Sequence, residues 1–188
     1  IDPVTNPTFI SKYTSDTLSQ NSVIAESDKR FYCVDYNEIY RVEYSEEELY
    51  YYYYYGQMPT GTPFFYGELM LTTALDYVTR DEIPTVYSLT GHGETALSET
   101  LVSYITTENI ARGELSLLTV DRIPEDCTSI LINNPTMDIS SAELDKLNAY
   151  LDEGGGIIFV SGCINYNSET MPNLTALCSY VGLESVDG

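Results

Sequence analysis

From Thr85 onward the chain alternates short apolar runs with amphipathic helices, and no other feature restricts its fold as much. Thr85 to Leu89, Leu115 to Val120, Ser129 to Ile132 and Ile157 to Val160 read as strands. Between them, Leu97, Leu101 and Ile105 fall at four-residue steps, and Leu144, Leu147 and Leu151 form a second helical stripe. Ser140-Ser141-Ala142-Glu143 is a capping box, in which each end residue's side chain satisfies the other's orphan backbone N–H, and Gly154-Gly155-Gly156 closes that helix. Pro172 opens a last helix through Leu174, Leu177 and Val181. Apolar strands separated by helices imply a mostly parallel sheet with helices on both faces, an α/β fold. Right-handed crossovers favour the order 2-1-3-4. The link from Asp121 to Thr128 holds no helix, but eight extended residues reach roughly 26 Å, enough to recross a short strand.

The organisation expected upstream is looser. Residues 1–45 read as a small, partial α/β piece: Asn6-Pro7 opens a helix carrying Phe9, Ile10 and Tyr13. Ser22 to Glu26 and Phe31 to Asp35 then form a hairpin around Ser27-Asp28-Lys29. Residues 46–63 are an acidic, tyrosine-rich, low-complexity insert in which Glu46, Glu47 and Glu48 precede Tyr50, Tyr51, Tyr52, Tyr53, Tyr54 and Tyr55. A tyrosine run lacks amphipathic periodicity, so it reads either as an aromatic contact surface or as an extended strand leading into a loop. Residues 64–188 form the main α/β domain, which reads as unfinished at Gly188. Its opening helix, Phe64 to Arg80, carries Leu71, Leu75 and Val78 on one stripe, with Glu68, Thr72, Asp76 and Thr79 opposite.

Charge narrows the function classes. Eight lysines and arginines face 29 acids, for a net charge of -21. Such a field repels phosphate backbones and anionic headgroups, which excludes nucleic acid as a partner, yet suits cations and basic proteins. No apolar run approaches the ~20 residues that span a bilayer. The chain opens at Ile1 without methionine, so any membrane anchor is expected in flanking segments of a longer protein. Cys33, Cys127, Cys163 and Cys178 show no CxxC spacing, so neither a zinc site nor a redox pair is expected. A Cys163–Cys178 bridge is the one pairing left open.

Few residues could carry chemistry. Gly91-His92-Gly93-Glu94-Thr95-Ala96 fits the GxGxxA dinucleotide pattern between a strand and a helix, with Asp121 where a ribose-binding acid would sit. Against that reading, the Glu94 carboxylate occupies the position where pyrophosphate would approach. Cys163 follows the fourth strand, where hydrolases and amidotransferases place a nucleophile, but Ser161-Gly162-Cys163-Ile164-Asn165 lacks the small-residue frame of a nucleophile elbow. No cofactor or metal is expected, and catalysis is the weaker reading. The candidate contact residues are Gly91, His92, Gly93, Glu94, Asn133, Asn134 and Thr136 at strand ends, together with the tyrosine run.

Val86-Tyr87-Ser88-Leu89-Thr90-Gly91-His92-Gly93-Glu94 resembles a signature of gliding-motility-type auxiliary proteins of ABC transporters. Ile123 to Asp126, Leu131 to Thr136, Glu143 to Gly155, and Asn21 to Ile24 with Asp28 to Arg30 agree with it. The resemblance implies an extracytoplasmic region of a bacterial membrane protein, working beside a permease and an ATPase or another surface protein; a small carbohydrate or peptide ligand is expected from the tyrosine run instead. It also implies a sheet similar to the flavodoxin-like, class I glutamine amidotransferase-like superfamily, preceded by a thioredoxin-like piece. It supplies no catalytic residues to carry over.

Overall fold

The computed structural model describes residues 5–15, 18–161 and 169–184. Cys163, residues 162–165 of its SGCIN frame and any Cys163–Cys178 pairing lie outside them. Contacts divide the chain into two compact units, Ile1–Asp81 and Glu82–Gly188.

In the first unit, α1 (Pro7–Ile10) is a single turn opened by proline, followed by the hairpin β1 (Val23–Glu26) and β2 (Phe31–Val34). Asp35 caps α2 (Tyr36–Ile39) through a capping box with Glu38. The strand β3 (Tyr40–Glu43) leads into α3 (Glu46–Tyr55), and β4 (Thr62–Phe65) returns antiparallel to β3, pairing Glu43 with Thr62. The unit closes with α4 (Gly67–Thr79), which packs on β1 and β2. Val34, Ile39, Met70 and Ala74 form its core. At the far end of α4, the hairpin turn bonds the last helical carbonyls: Ser27 Oγ donates to Val78 O and the Arg30 guanidinium to Tyr77 O. A cation at that end also complements the helix dipole.

Two expectations are corrected here. The tyrosine run is helical and not an extended strand. Ser45 and Glu48 form a capping box, three glutamates occupy the positive first turn, and Gly56 in the left-handed region (φ 68) ends the helix. Those terminal devices outweigh the absence of an apolar stripe. The helix expected to open the C-terminal domain, α4, belongs instead to the first unit, so the boundary falls at Asp81 and not at residue 63. Its buried stripe is Met70, Thr73, Ala74 and Val78, while Leu71 and Leu75 face outward.

The second unit is an α/β sheet. β5 (Thr85–Leu89), α5 (Glu99–Thr107), β6 (Ala111–Leu115), β7 (Cys127–Asn133), α6 (Ser141–Asp152), β8 (Gly156–Val160) and α7 (Pro172–Tyr180) follow in order. The four strands are all parallel, in the order β6-β5-β7-β8. The register places Leu89, Leu115, Ile130, Ile132, Ile157 and Phe159 on one face, against Leu147 and Tyr150 of α6 and Leu174 and Leu177 of α7. The opposite face carries Ile158 and Val160, half exposed, and α5 buries no residue. The second strand also lies earlier than expected. Ala111–Leu115 alternates in burial as an edge strand does, whereas Ser116 to Val120 is a turn that seats Leu117 in the core.

Candidate functional site

The carboxyl ends of parallel strands open onto loops, and the end of β7 together with the loops after β5 and β7 carries every candidate residue of this unit. Gly91 (φ 116) and Gly93 (φ 72) fold the segment after β5 into a turn that L side chains rarely adopt. At Gly93 the reason is also steric, since a Cβ there would overlap the Thr136 hydroxyl. The loop after β7 meets this turn: Thr136 N–H and Met137 N–H both donate to His92 O, at 2.9 and 3.0 Å. Asn133 contributes twice, its carbonyl accepting from Thr95 N–H (2.8 Å) and its amide donating to Thr95 O (2.6 Å). Asn134, in the left-handed region (φ 49), donates from its amide to Thr95 Oγ1 at 3.1 Å. Gly91, His92, Gly93, Glu94, Asn133, Asn134 and Thr136 thus share one rim.

His92 is the buried hub of that rim, 5% exposed. Its Nδ1 lies 3.2 Å from Glu94 Oε1, and its backbone N–H donates to Glu94 Oε2 at 2.8 Å. On the other side, Nε2 lies 3.2 Å from Glu143 Oε1 and 3.3 Å from Oε2. A neutral imidazole has one N–H donor, so the ring satisfies both carboxylates only when both nitrogens carry hydrogen. Glu143 is 2% exposed and also completes the capping box of α6, accepting from Ser140 N–H and Oγ at 2.8 Å each. Burial opposes ionisation of Glu143, but the Ser140 N–H, the Ser140 hydroxyl and His92 together hold its pKa below the ordinary value. One carboxylate therefore fastens the start of α6 to the glycine turn. Glu143 was legible as a cap; its partnership with His92, 51 positions away, was not.

This geometry runs against the dinucleotide reading of the glycine turn. The glycine turn does not open directly into a helix, because α5 begins only after its cap Ser98, and Thr95 is bonded to Asn133 and Asn134. Asp121, the proposed ribose acid, lines a separate cavity of about 410 Å³ with Cys127, Tyr150 and Gly155, at the opposite end of the sheet. The turn therefore lacks both the helix N-terminus and the acid that dinucleotide binding requires. Hydroxyls near His92 are also committed elsewhere: Thr136 Oγ1 faces His92 O and Gly93 O, and Thr90 Oγ1 faces Leu115 O. The carboxylates touch the imidazole nitrogens directly, and among the described residues no group of three or more acids, histidines and cysteines is placed to hold a metal ion.

What the rim offers a ligand is a cleft of about 230 Å³ with a mixed polar and apolar lining, on the sheet face bearing Ser88 and Leu131. Arg112 and Glu114 of β6, Glu94, Thr95 and Asn133 line it. Arg112 and Glu114 escaped the sequence reading because the second strand was placed too late; the alternation of Ala111–Leu115 was the available signal. Asn173, a formal glycosylation acceptor, bonds Asp138 Oδ2 and Ile139 O through its side-chain amide, and so is committed to holding α7. Tyr50 to Tyr55 belong to the first unit and are all exposed on α3. No helix among the described residues is long and apolar enough to cross a membrane. No protein family, curated protein or solved structure matches the chain.

Proposed function

We propose that this chain is a non-catalytic ligand- or partner-binding region of an extracytoplasmic, membrane-tethered auxiliary protein of a bacterial ABC transporter. One observation carries the non-catalytic part: both ring nitrogens of the only histidine face carboxylates, leaving no imidazole nitrogen to activate a nucleophile. The binding part is supported by the cleft at the carboxyl ends of the strands, where Arg112 and Glu114 stand beside the rim residues Glu94, Thr95 and Asn133. Such a lining suits a small polar ligand, a carbohydrate or a peptide terminus. The transporter context rests on the resemblance of Val86 to Glu94 and its companion segments. With it goes the finer fold reading, an amidotransferase-like sheet after a thioredoxin-like piece.

The test is capture of partners from membranes. The full-length protein, tagged and cross-linked in its native cell envelope, should co-purify with a permease and an ATPase. Arg112→Ala with Glu114→Ala should reduce ligand-dependent capture while leaving the unfolding midpoint in place. Recovery without any transporter subunit would refute the assignment.

A further inference from the structure

The β3–α3–β4 excursion of the first unit takes no part in that rim, and it is built unlike a core element. Every residue of β3 and β4 is exposed, and α3 buries none. Tyr53, Tyr54, Tyr55 and Met58 are 77, 73, 69 and 78% exposed. We propose that this excursion is a docking surface for a protein segment in which arginine or lysine side chains are interleaved with apolar ones. The proposal deepens the partner-binding reading above, and rests on it, by naming a second surface and the chemistry of what it takes.

Apolar exposure supplies the first argument. Contiguous patches beyond about 300–600 Å² on a soluble protein mark interaction sites. Tyrosine is among the residues most enriched at such sites, because it presents a large rigid surface at low entropic cost. Here the rings are also pre-arranged: Tyr50 leans on Tyr54 (4.6 Å between centroids) and Tyr51 on Tyr55 (5.6 Å), tilted and one helical turn apart. The Glu48 carboxylate bonds Ser45 N–H at the helix start and Gly61 N–H on the returning strand's approach, fixing α3 on its hairpin. An ordered aromatic face loses less freedom on binding than a loop would.

Charge selects the partner. Between Tyr36 and Tyr66 five glutamates stand against one arginine, and Glu46, Glu47 and Glu48 adjoin the tyrosines directly. Anionic lipid and a second copy of this chain, itself at -21, are both repelled. A basic segment is attracted, and its cations find ring faces. The first unit already uses that contact internally: Lys12 lies 4.7 Å from the Tyr13 centroid, Arg41 5.1 Å from Tyr66 and Arg30 5.4 Å from Tyr77.

Calorimetric titration of the whole chain tests the proposal. The probes are a short synthetic peptide alternating arginine with leucine, the same peptide with glutamate replacing arginine, and phosphatidylserine vesicles. The arginine peptide should bind, and the other two should not. Tyr53→Ser with Tyr54→Ser and Tyr55→Ser should weaken that binding on the order of tenfold, whereas Tyr104→Ser, an equally exposed tyrosine of the second unit, should leave it unchanged. Glu46→Gln with Glu47→Gln, which spares the cap Glu48, should weaken it at low salt whether or not the tyrosine variant folds. Equal binding by the tyrosine variant and the parent would reduce the effect to total charge and overturn the proposal. Binding to vesicles or to the glutamate peptide, or no binding at all, would overturn it too. Failure here alongside retained co-purification of permease and ATPase would leave the transporter reading standing, and the converse result would separate them the other way.

Discussion

Replacing Glu143 isolates the energy stored where α6 meets the glycine turn. Glu143→Ala removes the acceptor of Ser140 N–H, one half of the capping box, which costs about 1 kcal/mol. It also takes the carboxylate from His92 Nε2, a buried charge-assisted contact worth about 1.5–3 kcal/mol. Glu94 still holds the other ring nitrogen, so the lower half of that range applies, and the sum is about 2.5–3.3 kcal/mol. Glu143→Gln keeps the shape and an acceptor for Ser140 but not the charge, and should cost about 1 kcal/mol. The folded-state pKa of Glu143 is depressed, so its contribution is present above the ordinary carboxylate value. It is lost as pH falls through the folded value. The gap between parent and Glu143→Gln should therefore be flat from pH 7 to about 5 and close below about 4.5. Urea unfolding followed by far-UV circular dichroism reads this directly; the two units call for fitting two transitions, only the second of which should move. An alanine variant within about 0.5 kcal/mol of the parent, or a gap independent of pH, would refute the account of Glu143 as a shared cap and clamp.

The remaining predictions concern single groups. Asp35, whose carboxylate accepts first from Ser19 N–H and then from Asn37 N–H, is held down to about 2, so the stability it lends is present above about pH 4 and drains away toward pH 2. A carbon-detected carboxyl titration with a midpoint near the ordinary aspartate value would contradict this. Burial, and then its bond to Cys127, push the Tyr150 phenol up to about 12. The unfolded phenol ionises near 10, so this group costs stability as pH rises from about 10 toward 12. Absorbance at the phenolate band should show Tyr150 still protonated at pH 11, and Tyr150→Phe should flatten the alkaline loss. Gly93→Ala should destabilise by more than Gly91→Ala. Both residues have positive φ, but only at Gly93 does the added carbon collide with Thr136. Equal melting shifts for the two variants would remove the steric argument.

How much of this was legible depends on which physical signal each element left in the sequence. β5, β7 and β8 are apolar on both faces, so composition alone exposed them. β6 is an edge strand needing only one apolar face, and its Arg112 and Glu114 disguised it, while the apolar stretch after it proved to be a plug. The capping-box rule located α6 at Ser140; the same spacing stands at Ser45 and at Asp35, where it marks α3 and α2. Tyrosines without periodicity hid α3, because amphipathicity was sought where end chemistry decides. In α4 a one-position error in the stripe exchanged Leu71 and Leu75 for Met70 and Ala74, since a helix with leucines on several sides does not declare which side is covered. At the rim, glycine spacing gave the turn, but the clamp of His92 by two acids joins distant positions and leaves no local pattern.

The pairing of Glu43 with Thr62 has a consequence for how this chain can vary. Antiparallel partners stand only about 5 Å apart, so the tyrosine helix leaves and rejoins its unit through almost the same point. A segment held by a narrow neck, contributing nothing to the interior, behaves as an exchangeable cassette. Lengthening it, shortening it or trading it for another sequence leaves the parent scaffold closed, and what the scaffold presents to the outside can change while everything beneath it stays as it was.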